Sequence, residues 1–118
     1  MDISVQHIQA CRDAALSCEK CIIALSAQKV INTLHLRSFK QCADICHVLQ
    51  ESAIQRSIYI EKITVCCIGL CEECADICEE LNPDRTFTEA IRDYRKCSHL
   101  LSELVSDTGI KISNLIYR

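Results

Sequence analysis

Small and apolar residues recur along this chain at steps of three and four, the spacing of one helix face. The clearest run is Ile60, Thr64, Cys67, Cys71, Cys74, Cys78 and Leu81. Three others follow the same rule. They are Ser4, His7, Cys11, Ala14, Cys18, Cys21, Leu25 and Gln28; then His35, Phe39, Cys42, Cys46, Leu49 and Ala53; and last Phe87, Ala90, Tyr94, Cys97, Leu101, Leu104 and Thr108. These seams predict helices over residues 3–28, 34–53 and 58–81, and a fourth opening near Thr86. Asn32 or Thr33 is the expected cap of the second helix and Ser57 of the third. Asn82-Pro83-Asp84 is the clearest break, because proline and its predecessor both leave the helical region. Thr86 with Glu89 has the capping-box pattern. Asp107-Thr108-Gly109 is expected to end or kink the last helix, with Ile110, Leu115 and Ile116 in a short apolar tail.

Four helices joined by short connections imply an all-α antiparallel four-helix bundle. A length of 118 residues fits a single domain over 1–118. Composition narrows the picture. Two glycines and one proline leave little of the punctuation a sheet needs. Hydrophobic residues make up 49% but aromatic ones only 4%, so the core is expected to be aliphatic and thiol rather than ring-filled. A net charge of −3 with no basic run argues against a nucleic-acid partner. No apolar stretch has membrane-spanning length. Met1-Asp2-Ile3-Ser4 does not open a positive region followed by an apolar one, so a cytoplasmic location is expected.

Eleven cysteines in a short chain raise the possibility of a disulfide scaffold. The odd count, the scarcity of turn residues and the expected compartment favour reduced thiols instead. Ten of them fall on the seams: Cys11, Cys18, Cys21, Cys42, Cys46, Cys67, Cys71, Cys74, Cys78 and Cys97. Folding the helices up and down suggests one layer of Cys21, Cys42, Cys71 and Cys97 and another of Cys18, Cys46 and Cys67 with Leu101. The plain reading is a core in which cysteine acts as a small hydrophobe. Ten thiols facing one interior favour soft-metal binding instead. Zinc and iron–sulfur sites usually draw their cysteines from loops, whereas these sit inside helices. Cu(I) accepts two thiolates, and Cys42/Cys46, Cys67/Cys71 and Cys74/Cys78 are i,i+4 pairs that can supply both. The rival classes are a thiol-based redox or metal-responsive interaction protein and a bundle that binds zinc or a cluster. No nucleophile–base–orienter set is readable, so no enzyme is expected.

The remaining candidates carry less. Cys66 lies off the seams and could flank the site or face another subunit. His7 and His35 fall on seams at opposite bundle ends, where metal could be handed inward; a polar seam end is the plainer reading. His47 and His99 are expected on the surface, Phe39 and Tyr94 as core plugs, and the acids around the third seam as a solvated face.

The C-x3-C-x2-C-x3-C run of Cys67, Cys71, Cys74 and Cys78, with His7-x3-Cys11-x6-Cys18-x2-Cys21 and Cys42-x3-Cys46, resembles the bacterial copper storage proteins. The resemblance covers nearly the whole chain. It implies a homotetramer of four-helix bundles whose interior thiolates store many Cu(I) ions, in the cytosolic branch. The chain departs from that pattern in its fourth helix. Only Cys97 stands where several cysteines are usual, and Leu101 and Leu104 take the later positions, which implies a smaller store. Apolar residues outside the seams point toward self-association. They are Ile3, Val5, Ile22, Ile23, Ile58, Val65, Ile68, Ile110, Ile112 and Ile116.

Overall fold

A computed structural model describes residues 1–81 and 85–107. They form α1 (Val5–Ser26), α2 (Thr33–Gln55), α3 (Ile60–Glu80) and α4 (Thr88–Asp107), with no strand among the described residues. Each helix packs against its neighbours in sequence, and α1 closes the ring against α4. The expected antiparallel four-helix bundle is therefore the observed fold. No helix of the described residues is long and apolar enough to cross a membrane.

Local chemistry sets the boundaries. The amide of Ser4, just ahead of α1, donates to Nδ1 of His7 at 3.0 Å, so this histidine serves the helix start. Asn32 caps α2, its side-chain oxygen accepting from the amides of Leu34 and His35 at 3.0 and 3.3 Å. Arg56 ends α2 with φ 54°, the left-handed conformation that releases the chain from the helix. The turn over residues 56–59 that it opens separates α2 from α3, which local propensity would run together. The third helix opens at Ile60 with Tyr59 as its cap, not at Ile58 with Ser57. The Ser57 hydroxyl oxygen is engaged in a turn, accepting from the Tyr59 amide at 3.1 Å, so the helix starts later. Likewise α4 begins at Thr88, after a turn in which Arg85 has φ 64° and its carbonyl accepts from the Thr88 amide at 3.3 Å. The expected break at Asn82-Pro83-Asp84, the end near Thr108 and Gly109, and the tail with Ile110, Ile112, Leu115 and Ile116 lie outside the described residues.

The seams are the core. His7, Cys11, Ala14, Cys18, Cys21 and Leu25 of α1 are buried, as are Phe39, Cys42, Cys46 and Leu49 of α2. So are Thr64, Cys67, Cys71, Cys74 and Cys78 of α3, and Ala90, Tyr94, Cys97, Leu101 and Leu104 of α4. At one end, where α1 and α3 begin and α2 and α4 finish, His7, Leu49, Thr64, Leu101, Leu104 and Val105 meet. At the other, Cys21 meets Cys78 and shares a cleft with Phe87. Outside the seams, Val65 and Ile68 are buried and only widen the face of α3, while Val5, Ile23 and Ile58 are exposed. The acids of α3 are more than a solvated face. Arg95 of α4 bonds Glu72, Asp76 and Glu79, and the Ser98 hydroxyl donates to Glu72, fastening α3 to α4.

Candidate metal centre

All eleven cysteines are free thiols; ten are buried and Cys66 is exposed. The buried ten are those predicted from the seams. Helical periodicity turns each inward, and the antiparallel ring stacks them into a column along the bundle axis.

Sulfurs from different helices meet at van der Waals distance. Cys46 lies 3.7 Å from Cys67 and Cys42 lies 3.8 Å from Cys71, joining α2 to α3. Cys21 lies 3.8 Å from Cys78, and Cys11 lies 3.9 Å from Cys97. A disulfide needs about 2.05 Å, so these are thiol–thiol contacts. Two sulfurs each about 2.3 Å from a shared metal ion stand roughly 3.8–4.0 Å apart at trigonal or tetrahedral angles. The observed spacings are close to that.

Three groups bring three sulfurs within 4.8 Å of one another: Cys11, Cys67 and Cys97; Cys18, Cys42 and Cys74; and Cys42, Cys46 and Cys71. Cys42 belongs to two of them, and Cys46 links its group to Cys67. Eight sulfurs are thereby connected. Two pairings expected between α2 and α3 are present, Cys42 with Cys71 and Cys46 with Cys67. The expected layers fail for α1 and hold only in part for α4. Cys18 stands beside Cys42 and Cys74, not Cys46, while Cys97 keeps its expected contact with Cys71 but is grouped with Cys11 and Cys67. Cys21 meets Cys78 rather than Cys42. Because α1 ends at Ser26 instead of residue 28, the centre of the first turn moves toward the N-terminus, and the residue level with Cys42 becomes Cys18.

Hydrogen bonding divides the thiols into acceptors and donors. Cys11 is held down to about 5, chiefly by donation from Cys67 and then Cys97. Cys18 is likewise held at about 5 by Cys42, Cys74 and the Tyr94 hydroxyl. The donors move the other way. Cys42, Cys67 and Cys71 are pushed well up, first by their bonds to neighbouring sulfur and then by burial. Direct sulfur contact thus drives the acidities of the column's thiols apart and favours the thiolate at Cys11 and Cys18.

The polar residues resolve as follows. His47 and His99 are exposed, and His99 pairs with Glu103 at 3.0 Å. His35 is half-buried, and its buried Nδ1 has no hydrogen-bond partner. Phe39 and Tyr94 fill the core as expected, their rings stacked with centroids 6.5 Å apart. Missing from the expectation is the Tyr94 hydroxyl, which donates to Sγ of Cys18 at 3.2 Å and reaches Sγ of Cys21 at 3.8 Å. A tyrosine on an apolar seam is the signal for it, since a buried phenol needs a partner.

Comparison with known proteins agrees with this chemistry. The family model described as copper storage protein matches residues 2–105. The chain is also similar to an uncharacterized cysteine-rich protein, YhjQ, of Bacillus subtilis (strain 168). The two are 28% identical over 79 residues, covering 65% of this chain and 73% of the relative. No solved structure matches.

Proposed function

The chain belongs to the copper storage protein family, and from that premise we propose that it holds several Cu(I) ions on its core thiolates. The observation that carries this reading is the set of three buried thiol triplets, linked into one run of eight sulfurs. The ligands are Cys11, Cys18, Cys21, Cys42, Cys46, Cys67, Cys71, Cys74, Cys78 and Cys97. The compact groups hold three sulfurs each, which suits a soft ion content with two or three thiolates better than zinc, which takes four. Shared members such as Cys42 allow sulfur to bridge successive ions. Storage is the role that the family's description names.

The finer features belong to the same proposal. The chain forms one domain, works in the cytoplasm where thiols stay reduced, and assembles as a homotetramer. Exposed Val5, Ile23, Ile54 and Ile58 support self-association, since apolar residues that find no place in the single bundle gain by meeting a copy. Capacity is reduced because Leu101 and Leu104 occupy the seam beyond Cys97.

Anaerobic titration of the reduced protein with Cu(I), against a competing chelator, tests the reading. Several equivalents should be retained. Retention of one ion or none rejects storage, and a single defined disulfide formed under mild oxidant would favour a redox role.

A further inference from the structure

The ten core thiols do not form one uninterrupted series of sulfur contacts. Cys21 and Cys78 meet each other, yet neither belongs to any of the three compact triplets. Between this pair and Cys18 stands the Tyr94 hydroxyl, bonded on one side to Cys18 and reaching Cys21 on the other. Its ring is fully buried and braced against Phe39, so the hydroxyl is held in that position by packing.

The surroundings of the pair also differ from those of the eight. Cys21 lines a cleft of about 160 Å³ between α1 and the start of α4, with Ser17, Lys20, Phe87, Glu89 and Ala90. No triplet cysteine lines that cleft. On the facing helix, His35 stands seven residues before Cys42, as Cys78 stands seven after Cys71 on α3. The register that pairs Cys42 with Cys71 thus brings His35 level with Cys78. Its Nδ1 is buried without a partner, a costly arrangement unless something else binds there.

We infer that Cys21 and Cys78 form a separate outer site for one soft monovalent ion, that His35, level with them, is drawn to it once the ion is bound, and that Tyr94 partitions the site from the eight inner thiols. The inference rests on the copper reading above, since it orders the filling of that store. An ion arrives at the cleft and binds Cys21 and Cys78, whose protons leave to solvent. It moves inward by thiolate exchange, with Cys18 bonding to the ion as one outer thiolate lets go. The ion stays Cu(I) throughout, and the released sulfur takes the next ion or a proton. Each passage breaks the bond from Tyr94 to Cys18, so Tyr94 acts as a positioning residue that sets the rate without itself binding the metal.

Stopped-flow loading of the reduced, intact protein with Cu(I) presented by a weak chelator reads this out. Wild type should load in two phases, a fast one of roughly one equivalent and a slower one for the remainder. Cys21→Ser and Cys78→Ser should each abolish the fast phase. Tyr94→Phe, which keeps the ring and removes the hydroxyl, should speed the slow phase by roughly tenfold. His35→Ala should make the first ion leave to a strong chelator several-fold faster; an unchanged rate removes His35 from the site. Loading of several ions in a single phase overturns the partition while leaving storage intact. Binding of no more than one ion overturns storage, and that ion must then vanish in Cys21→Ser for the outer site to stand. Should the serine variants fail to fold, alkylation of the unaltered apo-protein decides. Exposed Cys66 reacts first, and Cys21 and Cys78 should follow well ahead of the eight inner thiols. Uniform reaction of the buried ten overturns the proposal.

Discussion

Where α2 and α4 finish, those two helices close in hydrocarbon, with Leu49, Leu101, Leu104 and Val105 buried, while α1 and α3 bring His7 and Thr64. From Cys11 and Cys97 to Cys21 and Cys78 the same four helices, continuing in the same register, close in sulfur. The backbone does not distinguish the halves; the side-chain chemistry does. A leucine brings several carbons out of water and stabilises the fold by its area. A cysteine brings one methylene and one sulfur and contributes less, but it can exchange a proton for a metal ion. One half of the bundle holds the fold while the other is left free to carry ligands. The bundle is thus expected to be folded before any metal arrives, unlike small domains that need their ion.

The sharpest break of this contrast is Leu101→Ala. The side chain is fully buried in the hydrocarbon half, and its truncation should cost about 2–5 kcal/mol. Thermal or urea denaturation of reduced apo-protein measures this. The contrast fails if the loss is no greater than that caused by truncating a core cysteine.

Acid should act on the sulfur half. Cys42, Cys67 and Cys71 are pushed up by their sulfur neighbours and by burial, so at neutral pH each carries a proton that a metal ion must displace. Lower pH opposes that displacement, by about tenfold, or 1.4 kcal/mol, per pH unit for each proton released. Cys11 and Cys18, held at about 5, release none at neutral pH and begin to do so only near that value. Cu(I) retention against a fixed competitor should therefore weaken on acidification and fall more steeply as pH drops through about 5. Proton release recorded in unbuffered solution checks the count. Retention that is flat from neutral pH to pH 4 would show that the thiols are not the ligands.

Much of this contrast could be read from residue spacing alone. The 4, 3, 4 steps of Cys67, Cys71, Cys74 and Cys78 admit only one helical face, so the burial of these four followed from the sequence. Cys97 followed by Leu101 and Leu104 already marked where sulfur gives way to hydrocarbon. The level at which α1 meets α2 was not legible, because it depends on where the first turn is centred, and a shift of one or two residues exchanges Cys18 for Cys21. Nor was the role of Ser57, whose hydroxyl suits a helix cap and a turn equally well. The Arg95 contacts escaped because the acids of α3 recur at helical spacing on an outer face, as solvated acids do. Their partner lies on another helix.

Within the sulfur half, Cys42→Ala removes one heavy atom from a fully buried site, for which about 1 kcal/mol is expected. Its effect on metal should be larger than its effect on the fold. Cys42 is the sulfur shared by two triplets, so both lose a member. Copper retained after dialysis against a chelator should fall by more than one ion, while the helical circular dichroism of the apo-protein stays near wild type. A loss limited to one ion would mean that Cys42 does not bridge.

The smallest effect belongs to the fastening outside the core. Arg95 reaches Asp76 at 2.8 Å and Glu79 at 3.0 Å and also bonds Glu72, tying α4 to α3 alongside the thiol column. Its side chain is about one-third exposed and those of the acids more so, so water screens most of the attraction. Such pairs usually contribute no more than about 1 kcal/mol. The three acids still hold the guanidinium firmly charged, Asp76 and Glu79 most strongly. Arg95→Gln keeps much of the stem and removes the charge, so the expected loss is about 0.5–1 kcal/mol at low salt. The difference from wild type should shrink toward zero near 1 M salt, where screening acts over about 3 Å. Copper capacity should not follow this change, because the staple touches no thiol. A salt-independent loss would assign the effect to packing of the arginine stem, and a parallel drop in copper capacity would show that the sulfur half depends on its surface fastening as well as on its hydrocarbon neighbour.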